Sequence, residues 1–251
     1  MEDFEFRAFS PGLVSHIKKI TRCKIKKLDL LKLNSVDFHN LIFKKNNIKS
    51  IKLLSLPFPS IQDHFSNYEY LINHKKQIKI KSDLILPINI DRNFYLSQYN
   101  YIVKNLKHID GIEFLFNISS HNNNEDQIVY FIKKILKKKQ LKIFFFPASS
   151  IRIRNNLSML NVTNIINRIN QFNNYKNNFF VALSGGGIDF YLDNGKFSKI
   201  FRNVNIVFDT HLNTKFKAVE LLNKLRKKRV KFGSDFPFIN NKNINIIYSR
   251  Y

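Results

Sequence analysis

Asp3, Glu5 and Arg7, at alternate positions in MEDFEFRAF, and Asp235 in VKFGSDFPF are the placements with the most chemistry in this sequence. Side chains alternate along a strand, so the first three are expected on one face. A carboxylate held where a buried strand ends can ligate a cation or move a proton. An arginine beside it can clamp an anionic substrate or neutralise neighbouring acids. Other apolar runs end in polar groups too: Glu113 or Asn117 with His121 beyond, Pro147 with Ser149, Ser184 before Gly185, Gly186 and Gly187, and Asp209 with His211.

Each of these has a plain reading beside the chemical one. Ser184 suggests a nucleophile, but no base is placed next to it and the strand–turn–helix G-x-S-x-G elbow is missing, so a hydrogen-bonding serine is the better reading. The Gly185–Gly187 run can bare N–H groups toward a phosphate or carboxylate, or can serve a tight turn. His211 and His121 are loop histidines, more often simply exposed. His16, His39, His64, His74 and His108 show no ligand spacing.

The elements that must position these groups are short apolar runs alternating with longer periodic ones. Strands are expected at 4–9, 50–56, 83–89, 111–117, 141–147, 179–184, 205–209 and 230–233. Their β-branched and aromatic content and near-continuous apolarity suit parallel strands covered on both faces. Helical periodicity marks 126–138, 162–172 and 215–228, with further helices inside 13–43 and 94–106. The stretch 57–71 is less regular. Eight strands alternating with helices over 251 residues predict a closed (β/α)8 TIM barrel, one domain over 1–251, with the polar strand ends gathered at one mouth. An open doubly wound sheet is the runner-up, but no G-x-G-x-x-G follows the first strand.

Composition narrows the setting. Lys and Arg number 42 against 18 Asp and Glu, a formal charge of +24, enough to attract any polyanion. Lys, Asn and Ile are abundant throughout, as an AT-biased coding sequence produces, and the bases lie on helix faces and connections (Lys133, Lys134, Lys137 to Lys139; Arg226 to Arg229). Codon bias is therefore preferred to nucleic-acid binding as their origin. Cys23 is the single cysteine, so neither an intrachain disulfide nor a cysteine zinc site can form. No apolar run is long enough for a membrane span. The acidic, aromatic start is unlike a signal peptide, and a reducing cytoplasmic location is expected.

The segment VNIVFDTHLNTKFKAVELLNKLRKKRVKFGSDFPF resembles the last two strands of the amidohydrolase superfamily, in its amidohydrolase-related (family 2) branch of TIM-barrel metal-dependent hydrolases and decarboxylases. Ala182 to Gly187 (ALSGGG) is similar to that family's sixth-strand HxGG segment. Asp3 to Arg7 falls where its members open with D-x-H-x-H. The resemblance implies a strand-end metal site, and most of its ligands are missing here. Glu5 and Arg7 stand at the two first-strand histidines, Phe146 or Pro147 at the fifth-strand one and Ser184 at the sixth; Asp235 alone remains.

These departures lead to the expectation of a degenerate metal site with no cofactor. A zinc or manganese ion would be held only if the site survives in altered form, weakly, by Glu5 and Asp235. Arg7 is expected to take the metal's place and face Asp235. The main reading is a catalytically impaired or non-metal barrel that binds a small anion or a partner subunit, with Asp235 as candidate catalytic residue and Arg7, Ser184, Gly185, Gly186 and His211 as substrate contacts. The first alternative is an active metal-dependent hydrolase or decarboxylase of a small carboxylic acid or amide. The second is a basic protein associated with RNA or a membrane surface. The resemblance also implies a further C-terminal helix for which INNKNINIIYSRY leaves little room, so a homo- or hetero-oligomeric partner could supply that cover.

Overall fold

The computed structural model describes residues 2–20, 34–56, 60–89, 94–116, 125–146, 156–170, 179–183, 204–209 and 230–233. Eight strands run through them: β1 (Glu2–Arg7), β2 (Ser50–Leu54), β3 (Lys81–Ile88), β4 (Gly111–Leu115), β5 (Lys142–Phe146), β6 (Phe179–Leu183), β7 (Asn205–Asp209) and β8 (Val230–Gly233). Each pairs in parallel with the next, in the order β1 to β8, and β8 returns against β1. The described helices are α1 (Pro11–Ile20), α2 (Val36–Lys45), α3 (Ile61–Gln77), α4 (Tyr95–Lys104), α5 (Glu125–Leu136) and α6 (Asn156–Asn170). This is the expected (β/α)8 barrel, and all eight expected strands form within a few residues of their expected bounds.

Parallel strands need covered faces, and two apolar layers cover these. Outward residues such as Phe6, Leu53, Leu84, Ile112, Phe114 and Val181 pack with helix residues including Phe43, Leu71, Ile128 and Ile132. Inward residues Phe4, Leu54, Ile85, Phe144, Phe180, Ala182 and Val207 fill the barrel itself. Phe144 stacks on Phe180 at 4.5 Å between ring centroids. Gly111, inward on β4, is the thin point: a Cβ there would lie 2.5 Å from the Lys142 carbonyl oxygen and 2.6 Å from the Ile85 side chain.

Two expectations need correction. The stretch 57–71, read as less regular, contains the start of α3, which runs to Gln77. Its buried face carries His64, Asn67, Tyr68 and His74 among its apolar residues, so the polar members hide the 3.6-residue period. Ser60 caps its start, accepting from the Asp63 N–H at 3.2 Å and donating to the Asp63 carboxylate at 2.6 Å.

The second correction concerns β1. Asp3 does not share the inner face with Arg7. Asp3 registers with Ile51 and Phe6 with Leu53, so two residues of β1 span one of β2, a bulge. The extra residue reverses the alternation. Asp3 therefore lies on the outward side with Ile51, while Phe4 and Arg7 lie inward with Leu54. Glu5 stands within the bulge, and its side chain lies outside the described residues.

Candidate active site

Arg7 reaches the inner face near the C-terminal end of β1, where barrel sites are built. It is 3% exposed. Its Nη1 donates to the Ser55 carbonyl oxygen at 2.7 Å and to Glu113 Oε2 at 3.4 Å. The guanidinium carbon lies 4.7 Å from the centroid of Phe146 on β5. Glu113, inward on β4 and fully buried, turns its other oxygen, Oε1, to the Ser55 N–H at 3.2 Å. An ionised carboxylate in such a place needs a counter-charge, and Arg7 supplies it.

Ser55 needs both side chains because of where its strand stops. The β2–β3 ladder registers Ser50 to Leu53 against Lys81 to Leu84. Past it, the inward Pro87 on β3 brings no N–H. Glu113 pairs with Pro87 in register, and its carboxylate meets Ser55 after β2 and Arg7 on β1. The Ser55 hydroxyl in turn accepts from Asn67 Nδ2 of α3 at 3.2 Å, and Asn67 Oδ1 accepts from the Ser10 N–H at 3.4 Å. One buried asparagine thus ties the turns after β1 and β2 to the same helix.

A second buried polar group supports the wall behind Glu113. The Tyr68 hydroxyl donates to the Pro87 carbonyl oxygen. His64 Nε2 lies 2.7 Å from Tyr68 Oη and 2.8 Å from Gln98 Oε1. Gln98 also accepts from the Asn89 N–H and donates to the Asn89 carbonyl, at 2.8 and 2.9 Å. An amide oxygen only accepts, so His64 carries a proton on Nε2. Burial lowers the His64 pKa to about 4, against a smaller upward effect of Gln98. Burial, then the charges of Glu113 and Tyr101, hold the Tyr68 phenol far above its ordinary value.

Of the residues expected at the site, Arg7 is on the inner face, and Glu113 joins it. Asp235, Ser184, Gly185, Gly186 and His211 lie outside the described residues, as do Asn117, His121, Pro147 and Ser149; for Asp209 this applies to the side chain. The expected pairing of Arg7 with Asp235 therefore falls outside them too. Sequence reading missed Ser55 and Asn67. Glu113 carried a signal, being an acid inside the apolar run GIEFLF, but nothing local named its partner. His39 and His74, which lack ligand spacing in the sequence, meet at 2.9 Å between Nδ1 and Nε2, both buried.

No protein-family model matches the sequence, and no curated protein does. Solved structures do match. A 2,6-dihydroxybenzoate decarboxylase from Rhizobium is 11% identical and superposes over 100% of this chain and 91% of its own, with a TM-score of 0.64. A 5-carboxyvanillate decarboxylase from Novosphingobium aromaticivorans, with bound manganese, is 8% identical over 98% of this chain and 89% of its own, with a TM-score of 0.68. An adenine deaminase from Arthrobacter aurescens matches at 12% identity over 94% and 82%, with a TM-score of 0.55. The fold is the (β/α)8 barrel that these structures share.

The described residues put one buried ion pair, Arg7 with Glu113, at the mouth. Among the described residues, no group of three His, Cys, Asp or Glu could hold a divalent cation. The inner position near the end of β1 carries a guanidinium, which repels a metal ion and competes for the same carboxylates. Arg7 spends its charge on Glu113 there, and Phe146, Phe144 and Phe180 form an aromatic stack beside it.

Proposed function

We propose that the protein is an enzyme on the amidohydrolase barrel that acts on a small carboxylic acid, by decarboxylation or by hydrolysis of an amide. The observation that carries this reading is Arg7, a buried guanidinium on the inner face near the end of β1, set against Phe146. A fixed cation anchors a carboxylate, and a flat apolar wall accepts a planar body while excluding water. The solved structures similar over nearly the whole chain include decarboxylases of aromatic acids, which supports the same substrate class. Loss of carbon dioxide requires a proton delivered to the carbon it leaves, and Asp235 is the acid we put forward for that role.

A second reading, binding without turnover, is favoured by one observation. Arg7 already donates to Ser55 and Glu113, and Glu5 and Arg7 stand where the resembling family carries histidines. One experiment separates the two. The purified protein is offered 2,6-dihydroxybenzoate and 5-carboxyvanillate as probes, with and without added manganese. Thermal shift and carbon dioxide release are both recorded. The enzyme reading expects a rise in melting temperature and release that Asp235→Asn abolishes. A rise with no release at any metal level selects the binding reading, and neither signal with a wider panel of carboxylates overturns both.

A further inference from the structure

Lysine is distributed along the barrel axis in a way that composition does not explain. Residues 44–52 hold four lysines, 75–81 four and 133–142 six, whereas no Lys or Arg stands at 53–74 or 111–132. In a parallel barrel the helix ends and strand starts share one end, opposite the mouth. The lysine-rich segments are those ends: the last turns of α2, α3 and α5 and the starts of β2, β3 and β5. Those two segments contain the ends of β2 and β4 and the beginnings of α3 and α5, although Arg92, Arg152 and Arg154 follow β3 and β5 in the sequence. Codon bias would spread lysine over every exposed helix face.

Helix dipoles favour cations in a last turn, and acids do stand in the first turns (Asp37, Asp63, Glu125, Asp126). That effect weakens as cations of neighbouring helices crowd together. Crowding is evident here: burial and then Lys107, Lys76 and Lys75 push the His108 pKa down, and burial followed by Arg168 and Lys137 does the same to Lys133. The dipole also does not account for the barrel floor. Lys52, Lys142 and Lys231 come from strand starts on the inner face, with Lys52 sharing Glu2 and Asp83, Lys142 bound to Asp83 and Lys231 over the Phe4 ring. Among the described residues, the acids of this end, Glu2, Asp83 and Asp110, are each taken by a lysine. Exposed Lys45, Lys49, Lys79, Lys104, Lys107 and Lys138 form no ion pair among the described residues.

We propose that this end of the barrel, opposite the mouth, is a docking surface for nucleic acid, bound through its phosphates. The surface is broad and carries an excess of lysine over acid, which suits an extended polyanion rather than one small ion. Of the large exposed apolar residues among those described, Leu41 and Leu96 lie within helices short of the lysine-rich ends and Tyr130 borders Lys134. A membrane surface would be expected to take apolar anchors there, so nucleic acid is the occupant favoured.

The test relocates charge without changing its sum. Lys49, Lys79 and Lys107 become Gln, while Gln62→Lys, Ser66→Lys and Asp37→Asn restore the total near the other end, on α2 and α3. Fluorescence anisotropy with a 20-nucleotide single-stranded RNA is read across salt concentrations for both proteins, with circular dichroism to confirm folding. Wild type should bind tighter than about 10 µM near 0.1 M salt, and the relocated variant at least about tenfold weaker, with a log–log salt slope smaller by about 2 for three lost phosphate contacts. Equal affinity for the two proteins, or no wild-type binding, overturns the proposal. Equal or tighter binding to phosphatidylserine vesicles than to RNA also overturns it, in favour of a membrane.

Discussion

Arg7 and Glu113, 106 residues apart in the sequence, meet at 3.4 Å inside the barrel, and between them they satisfy both backbone groups of Ser55. Three chain segments, β1, β4 and the end of β2, are joined by one ion pair. A guanidinium held this way has a fixed direction, which an anion-binding group requires. The same closure makes the pair costly to break, because either partner alone is a buried charge.

Arg7→Ala and Glu113→Ala are each expected to destabilise the protein by about 3–5 kcal/mol, the range for removing one partner of a buried pair. Arg7→Ala combined with Glu113→Ala should cost much less than the sum, since no charge is left stranded. Denaturant unfolding of wild type, singles and doubles measures this. Simple additivity within about 0.5 kcal/mol would show that the two are not coupled. The same cycle with Asp235→Asn tests the Arg7–Asp235 pairing expected from the sequence.

Gly111→Ala is expected to lower stability by about 1–3 kcal/mol, the cost of overpacking. The new methyl would meet the Lys142 carbonyl, which is backbone and cannot turn away, as well as the Ile85 side chain, which can. Ile85→Val should therefore recover only part of the loss. A thermal midpoint for Gly111→Ala equal to that of wild type would contradict the close packing of β3, β4 and β5 at this point.

The strand pattern was legible because eight runs of aromatic and β-branched residues bounded by polar ones have one physical meaning in a chain of this length. The start of α3 was not legible, since His64, Asn67, Tyr68 and His74 hold its inner face through hydrogen bonds rather than apolarity. At the site, Arg7 was legible from type and position. Its facing was not a matter of alternation, because the bulge between Asp3 and Phe6 depends on pairing with β2. Glu113 as the partner required knowing that the β3–β4 register brings it beside the end of the β2–β3 ladder. Contacts of long sequence separation decide such details, and a local pattern does not contain them.

Stability is expected to rise with pH between about 4 and 6.5. Burial lowers the pKa values of both His64 and His74 to about 4 from an ordinary 6.5. Between those values the unfolded chain binds protons at these sites that the folded chain does not. Folding stability therefore increases with pH through this window, is fully present above about 6.5 and is progressively lost toward 4. Each site contributes on the order of 3 kcal/mol at most, since a tenfold change in proton affinity is worth about 1.4 kcal/mol. The structural cause is visible at each: His64 Nε2 donates to Gln98 and Tyr68, and His74 is locked against His39 with no carboxylate beside it in the bonds described. Denaturant unfolding at pH 5 and pH 7, together with ring-proton titration of the histidines by NMR, checks both halves of the argument. Equal stability at the two pH values, or His64 and His74 rings titrating near 6.5 in the folded protein, would show that these histidines are not held neutral by burial.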